Sequence, residues 1–374
     1  MLNPRAGIRN LIALISAAGF APTRSGAEAV VPVGGPRPEA AAVQMALQGA
    51  AADVSGQPLK YTGVNISGGE FGSRKPGTAA RFGVDYTYPS PAELNYFASK
   101  GANIIRFPFR WEDLQPSLYQ PLEPAALDRI STVVAEATKR GILVVLDPHN
   151  YARYYDKMVG GPEVPATAFA DLWGRLALQF RANRQVWFGL VNEPYGISAE
   201  QWTGVANQAI AAIRKAGARN VILVPGTSWT GAHSWVSSGN AQAMLKLADP
   251  GHNYLFDVHQ YLDADSSGTK PSIVSPTIGS ERLREFTLWC RQHHRRGFLG
   301  EFGAAASDPA SSHAIEDMLA YVEANRDVWY GWTWWAAGAW WGDYMFSLEP
   351  KSGTDSPILA WLKPHLQHPS ALRN

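Results

Sequence analysis

Short, mostly apolar runs recur along the chain at residues 61–66, 104–106, 142–146, 186–190, 221–224, 254–258, 298–300 and 330–335. Runs that do not alternate with polar residues read as strands buried on both faces, the pattern of a parallel sheet lying under helices. Each run after the first is preceded by an amphipathic stretch, such as residues 124–140 before Ile142 or 281–294 before Phe298. Lys100-Gly101, Lys139-Arg140-Gly141 and Arg295-Arg296-Gly297 each put a cation in a predicted last helical turn and a glycine just past it. Eight such strands predict an α/β fold, a (β/α)8 TIM barrel forming one catalytic domain over 59–366, with a C-terminal tail at 367–374.

Composition narrows what such a barrel could bind. Of 374 residues, 46% are hydrophobic and 17% charged, so there is ample material for a core and disorder throughout is excluded. Thirty-three Lys+Arg against thirty-two Asp+Glu leave a formal charge of +1, which builds in no strong attraction to nucleic acid or to an anionic membrane. Neutral ligands fit better, and the fourteen tryptophans offer planar faces of the kind that grip sugar rings. The single cysteine, Cys290, excludes an intrachain disulfide and any cysteine cage for zinc or iron–sulfur; it is expected to be a buried helix residue.

The N-terminal segment carries Arg5 and Arg9, a moderately apolar run over 11–21, and the small-residue site Ala27-Glu28-Ala29. That order predicts a signal peptide over 1–29, too short in its apolar part to be retained as a membrane span, then an Ala/Pro/Gly-rich linker over 30–58. The expected location is secreted or periplasmic, and the expected state is a monomer with no membrane or nucleic-acid partner.

Barrel chemistry sits at the C-terminal ends of the strands. Those positions are polar here: Arg106 to Trp111 after the second strand, Asp147-Pro148-His149-Asn150-Tyr151 after the third, Asn192-Glu193-Pro194 after the fourth, His259-Gln260-Tyr261 after the sixth, Gly300-Glu301 after the seventh and Trp334-Trp335 in the eighth. One carboxyl after strand four and one after strand seven would face each other across the mouth, the pairing that glycoside hydrolysis requires. A lone Glu at a strand end is more often a surface charge; it is the company of Arg, Asn, His and Tyr that favours the catalytic reading.

Gly63-Val64-Asn65, Ile105-Arg106-Phe107-Pro108, Val191-Asn192-Glu193-Pro194, His259-Gln260-Tyr261, Gly300-Glu301-Phe302-Gly303 and Trp334-Trp335-Ala336-Ala337-Gly338 closely resemble glycoside hydrolase family 5, specifically its endo-β-1,4-glucanases (cellulases). The resemblance covers about 61–350 and implies a retaining cellulase with Glu193 as acid/base and Glu301 as nucleophile. The family's other site positions carry over onto Arg106, His149, Asn192, His259, Tyr261 and Trp335, with Trp335 chosen over Trp334 by the Ala-Ala-Gly that follows. Asn65 and Trp229 join them as supporting residues, and the substrate implied is cellulose or another β-glucan polysaccharide.

Those roles are chemically coherent. Retention needs one carboxyl protonated for the leaving oxygen and one ionised for attack, about 5 Å apart, so two similar groups must be held in different states. Arg106 and the Tyr261 hydroxyl are suited to an ionised Glu301, and aromatic walls with a neighbouring charge to a protonated Glu193. Asn192 is suited to a sugar 2-hydroxyl, His149 and His259 to hydroxyls or the acid, and Trp335 to the floor beneath the sugar. Trp173, Trp187, Trp289 and Trp329 are expected in the core, whereas Trp229, Trp340 and Trp341 fall in mouth loops, where stacking and packing are equally open. His252, His293, His294 and His313 are given no role.

Other chemistries find no support. Asp263-Ala264-Asp265-Ser266-Ser267-Gly268 begins like a calcium loop but has Val274 at the twelfth position. A nucleophile elbow, a phosphate loop and a His-Glu-x-x-His motif are missing, so neither cofactor nor metal is expected. Two alternatives stay open: the same mechanism on mannan, xyloglucan or mixed-linkage glucan, and a non-catalytic carbohydrate-binding barrel, which would predict loss of Glu193 or Glu301.

Overall fold

The computed structural model describes residues 58–367. The expected signal peptide, the linker apart from Pro58, and the tail apart from Gln367 lie outside the described residues. Eight parallel strands close into a barrel: β1 (Tyr61–Ile66), β2 (Ile104–Phe109), β3 (Leu143–Pro148), β4 (Val186–Gly189), β5 (Ile222–Pro225), β6 (Tyr254–His259), β7 (Gly297–Glu301) and β8 (Trp329–Ala337). Each strand pairs with its sequence neighbours and β8 returns to β1, so the sheet has no edge. This is the (β/α)8 fold expected from the repeating runs.

Six longer helices pack outside: α1 (Pro91–Ser99), α2 (Pro124–Lys139), α3 (Ala166–Phe180), α4 (Ala199–Lys215), α5 (Ile278–Gln292) and α6 (Ser311–Ala324). Local sequence explains their starts. Ser90 and Glu93 form a reciprocal capping box on α1, Ser198 and Gln201 do the same on α4, and Glu123 caps α2 ahead of Pro124. Along α2 the buried residues Ala126, Ile130, Val133, Val134 and Ala137 recur at helical spacing and form its inner face.

Two expectations are corrected here. No long helix precedes β6: the connection from β5 holds only short turns, among them Asn240–Ala243 and Met244–Lys246. Gly226, Gly239, Pro250 and Gly251 interrupt this stretch and oppose helix propagation. Gly297 is also not a helix cap; α5 ends at Gln292, His294 takes the left-handed conformation (φ 53°), and Gly297 opens β7. Its glycine identity has another cause, because a Cβ there would lie 2.5 Å from the Phe286 ring. Gly101 and Gly141 do have positive φ, as the helix-end reading requires.

The barrel interior is layered by the period-2 alternation of strand residues. Ile104, Leu143, Val145, Trp187, Leu223, Leu255 and Phe298 fill its lower part as one apolar cluster. The rings of Tyr61 and Trp187 meet edge-on at 4.7 Å, and Trp187 meets Phe298 at 6.0 Å. Continuing up the same inward faces, Ile104 is followed by Arg106, Val145 by Asp147, and Leu255 by Asp257 and His259. The dry lower layers thus seat a polar upper layer. Trp173, Trp289 and Trp329 pack with the surrounding helices, and all four tryptophans expected in the core are buried. Cys290 is buried as expected, and burial raises its thiol pKa. Among the described residues, no helix is long and apolar enough to cross a membrane.

Candidate active site

Arg106 lies at the centre of the upper layer. It is the third residue of β2 rather than a residue just beyond the strand, since β2 continues through Pro108 to Phe109 and pairs with β3 along its whole length. Fully buried, it donates from Nη1 to Glu301 Oε1 at 2.6 Å and to Asn65 Oδ1 at 3.0 Å. From Nη2 it donates to Asn192 Oδ1 at 2.7 Å, and the same nitrogen lies 3.1 Å from Asp147 Oδ2. One guanidinium therefore ties together groups on β1, β2, β3 and β7 and the turn after β4. Its fork geometry permits this where an ammonium's would not. Asn65 extends the tie, its Nδ2 facing the carbonyls of Gly300, Thr333 and Trp334 at 2.9–3.3 Å.

Glu301 is the last residue of β7 and is 3% exposed. Besides Arg106 it accepts a hydrogen bond from the Tyr261 hydroxyl at 2.9 Å on Oε2. Both oxygens are thus fixed by donors, which orients the carboxylate. Glu193 is held differently. It lies four residues beyond the end of β4 in a left-handed conformation (φ 39°), a backbone state that for a non-glycine residue costs on the order of 1–3 kcal/mol and clusters at functional sites. Its Oε1 is 2.7 Å from His259 Nδ1, and the same nitrogen is 3.5 Å from Glu301 Oε2. Burial pushes the Glu193 pKa up to about 7, against the opposing pull of His149 and Arg106. Burial likewise depresses His259, to about 3, so its imidazole is neutral.

The ligand-type atoms of Glu193, His259 and Glu301 lie within 4.8 Å of one another. The carboxyl oxygens are therefore at the separation expected for a retaining pair and short of the roughly 6.5–9.5 Å that accommodates an inverting water. Three such groups could also meet one cation. With Arg106 already 2.6 Å from Glu301, however, positive charge is supplied by the protein and the trio fits acid–base chemistry better.

The remaining expected residues surround this pair. Asn192 is buried, and its Nδ2 has no protein partner, leaving an N–H free for a hydroxyl once Arg106 has occupied its oxygen. His149 donates or accepts at Nδ1 with Asp147 Oδ2 at 2.9 Å, and its ring stacks on Trp335 at 5.3 Å with planes 20° apart. Trp341 meets Trp335 edge-on at 6.0 Å and stacks on Tyr344 at 4.2 Å, so it braces the tryptophan. Trp229 stands further out. Its backbone N–H bonds the Pro194 carbonyl, and its half-exposed ring lies parallel to Tyr195 at 5.0 Å, with Arg153 over the other ring's face. Ser228, Trp229 and Thr230 all have positive φ, a turn that holds this indole outward.

Two further buried carboxyls, to which the sequence motifs assign no role, belong to the site: Asp147 and Asp257. Each belongs to an Asp-x-His pattern, Asp147-Pro148-His149 and Asp257-Val258-His259, and on a strand that spacing sends both side chains inward. The two differ in charge. Burial opposes ionisation of Asp147, but Arg106 and His149 outweigh it and lower its pKa. Asp257 lacks such a partner, and burial pushes it up to about 8. The suspected calcium loop has another use for its acid: Asp263 accepts from Ser267 Oγ and from the N–H groups of Gly268, Thr269 and Lys270 at 3.0–3.3 Å.

Residues 52–338 match the family model described as Cellulase (glycosyl hydrolase family 5). The endo-β-1,4-glucanase B of Aspergillus niger is 40% identical over 297 residues, covering 79% of this chain and 87% of that protein. Among solved structures, a triple variant of an endo-β-1,4-glucanase from Xanthomonas axonopodis pv. citri is 52% identical, with a TM-score of 0.80 over 83% of this chain and 99% of that one. The Pseudomonas stutzeri endoglucanase Cel5A, solved with cellobiose, is 32% identical, with a TM-score of 0.76 over 84% of this chain and 96% of its own.

Proposed function

Because the chain belongs to glycosyl hydrolase family 5, we propose that it is a retaining endo-1,4-β-glucanase, with Glu193 as acid/base and Glu301 as nucleophile, acting on internal bonds of cellulose or related β-glucans. The observation that most supports this reading is the carboxyl pair within 4.8 Å, one member raised to about 7 by the desolvation of its surroundings, the other fixed by Arg106 and Tyr261.

In the first step a Glu301 oxygen attacks the anomeric carbon as the glycosidic C–O bond breaks, and the Glu193 proton passes to the departing oxygen. Asn192 Nδ2 donates to the sugar 2-hydroxyl, a contact that strengthens as the ring gains oxocarbenium character. In the second step Glu193, now ionised, takes a proton from water as the water oxygen attacks the same carbon and the ester bond to Glu301 breaks. His259 lies beside Glu193 throughout, and Trp335 supplies a flat apolar floor. Endo action on glucan is also what the names of the relatives describe. The N-terminal pattern further leads us to propose export with cleavage near Ala29, which N-terminal sequencing of the exported protein tests.

The decisive experiment compares reducing-end release from carboxymethyl cellulose and mannan side by side, with product anomers read by proton NMR. Rapid viscosity loss on the cellulose derivative with the β-anomer appearing first is the expected result. An α-anomer as first product would overturn retention, and turnover of mannan alone would overturn the glucan assignment.

A further inference from the structure

The two Asp-x-His pairs of the upper layer are alike in sequence and opposite in partnership. Asp147 forms an ion pair with Arg106 and a hydrogen bond with His149. Asp257 has no protein hydrogen-bond partner on Oδ1, and the buried Nε2 of His259, two residues along the same strand, has none either. Asp257 Oδ2 and His259 Nε2 are 3.9 Å apart, so a movement of about 1 Å brings them to hydrogen-bond distance. On the far side of the imidazole, Nδ1 lies 2.7 Å from Glu193 Oε1. The carboxyl of Asp257 also depends on a bare backbone beside it: a Cβ on Gly300 would lie 2.2 Å from Oδ1.

We propose that Asp257 is a positioning residue which, as a neutral carboxylic acid, donates its proton in a hydrogen bond to His259 Nε2 and so keeps the His259 proton on Nδ1, facing Glu193. This rests on the reading of Glu193 as acid/base.

The proton accounting makes the protonation state decisive. A neutral imidazole carries one N–H and one bare nitrogen. With a donor at Nε2, Nδ1–H donates to Glu193 Oε1, and the acid's own proton stays on its other oxygen, free for the glycosidic oxygen. Were Asp257 ionised while Glu193 still held its proton, Nε2 would carry the hydrogen, Nδ1 would become the acceptor, and the Glu193 proton would turn away from the substrate. The proton lost is that of Asp257 alone; the imidazole stays neutral, but the acid is misdirected.

The surroundings favour the neutral form. Burial raises Asp257 to about 8, Arg106 on β2 opposes this, and Asp147 on β3, Glu301 on β7 and Glu193 beyond β4 reinforce it. The adjacent strands put Pro225 and Phe298 opposite Asp257, neither of them ionisable. Arg106, spent on Asp147 and Glu301, is thus what separates the two aspartates.

The test uses the whole protein labelled with 15N-histidine, with the His259 signals among the nine histidines identified by their loss in His259→Gln. At pH 6, where Glu193 and Asp257 both keep their protons, the wild type is expected to show protonated Nδ1 and bare Nε2. Asp257→Asn retains a donor and should keep Nδ1 protonated at the same pH. Asp257→Ala should lose the Nδ1 preference and lower kcat on natural substrate by roughly tenfold to a hundredfold, with KM changed less than about twofold. Protonated Nε2 in the wild type at pH 6, or one unchanged signature in wild type and Asp257→Ala, would overturn the role of Asp257. A tautomer that shifts in Asp257→Ala with no loss of kcat would instead overturn Glu193 as the acid it serves.

Discussion

Replacing Arg106 by Met should reveal how strongly the polar layer depends on one charge. The guanidinium is 1% exposed and faces two buried carboxyls, Glu301 at 2.6 Å and Asp147 at 3.1 Å, besides Asn65 and Asn192. Removing one member of a buried ion pair leaves the other's charge uncompensated, at a cost of about 3–5 kcal/mol. At roughly 2–4 °C per kcal/mol, the loss corresponds to a fall in Tm of roughly 6–20 °C, nearer the lower end for a chain of this size. The deficit should depend on pH with a definite sign. Asp147 has a folded pKa below its unfolded value of about 3.9, so its contribution through Arg106 is fully present above that value and lost as pH falls through the folded one. Urea unfolding of wild type and variant at neutral pH and well below pH 4 should therefore show the gap narrowing in acid. A deficit below about 1 kcal/mol at neutral pH, or one that stays constant as the carboxyls become protonated, would refute the argument that Arg106 compensates buried charge.

Glu301→Gln should lower turnover by several orders of magnitude with the fold intact, and retention of more than about a tenth of wild-type rate, a deficit of only ~1.4 kcal/mol, would exclude Glu301 as nucleophile. The kcat/KM profile should fall as pH rises through about 7, where Glu193 loses the proton the leaving group needs; a fall confined to pH values far above that would contradict its assignment. Glu193→Gln should also stabilise the protein, with the gain appearing as pH rises above the unfolded carboxyl range and complete above about 7, because only there does the wild type bear a buried charge; thermal melts at pH 5 and 8 measure it. Trp229→Ala should raise KM for long glucans by roughly twofold to tenfold while leaving short aryl glycosides nearly unaffected, as expected if its outward ring stacks on a distant sugar; equal effects on both would argue for a structural role.

What could be read without the structure followed the periodic signals. Mostly apolar runs located all eight strands, and the polar residues at their ends located the mouth, because alternation and barrel closure leave side chains little choice of direction. The second strand reads from sequence as ending at Arg106, since Pro108 taken alone is a strand breaker, whereas here it pairs with Asp147 inside β2. The missing helix before β6 and the strand-opening role of Gly297 turn on local breakers and on the Phe286 ring, the latter a contact across 11 residues that no periodicity encodes. Asp147 and Asp257 were legible in principle from Asp-x-His spacing. Their opposite ionisation was not, because it depends on which of them Arg106 reaches in space.

The described chain ends in a clasp: Gln367 donates from its backbone to Thr62 Oγ1 at 3.2 Å and from its side chain to the Leu59 carbonyl. Both partners belong to the entry into β1, at the floor of the barrel, whereas Glu193 and Glu301 stand at the strands' exits. The two ends thus meet on the pole opposite the reacting groups, where an appended module or surface tether would leave the approach of a long polymer unobstructed. The same nearness makes the barrel a good subject for circular permutation, with a short bridge joining 367 to 58 and new ends opened in an exposed loop on the floor.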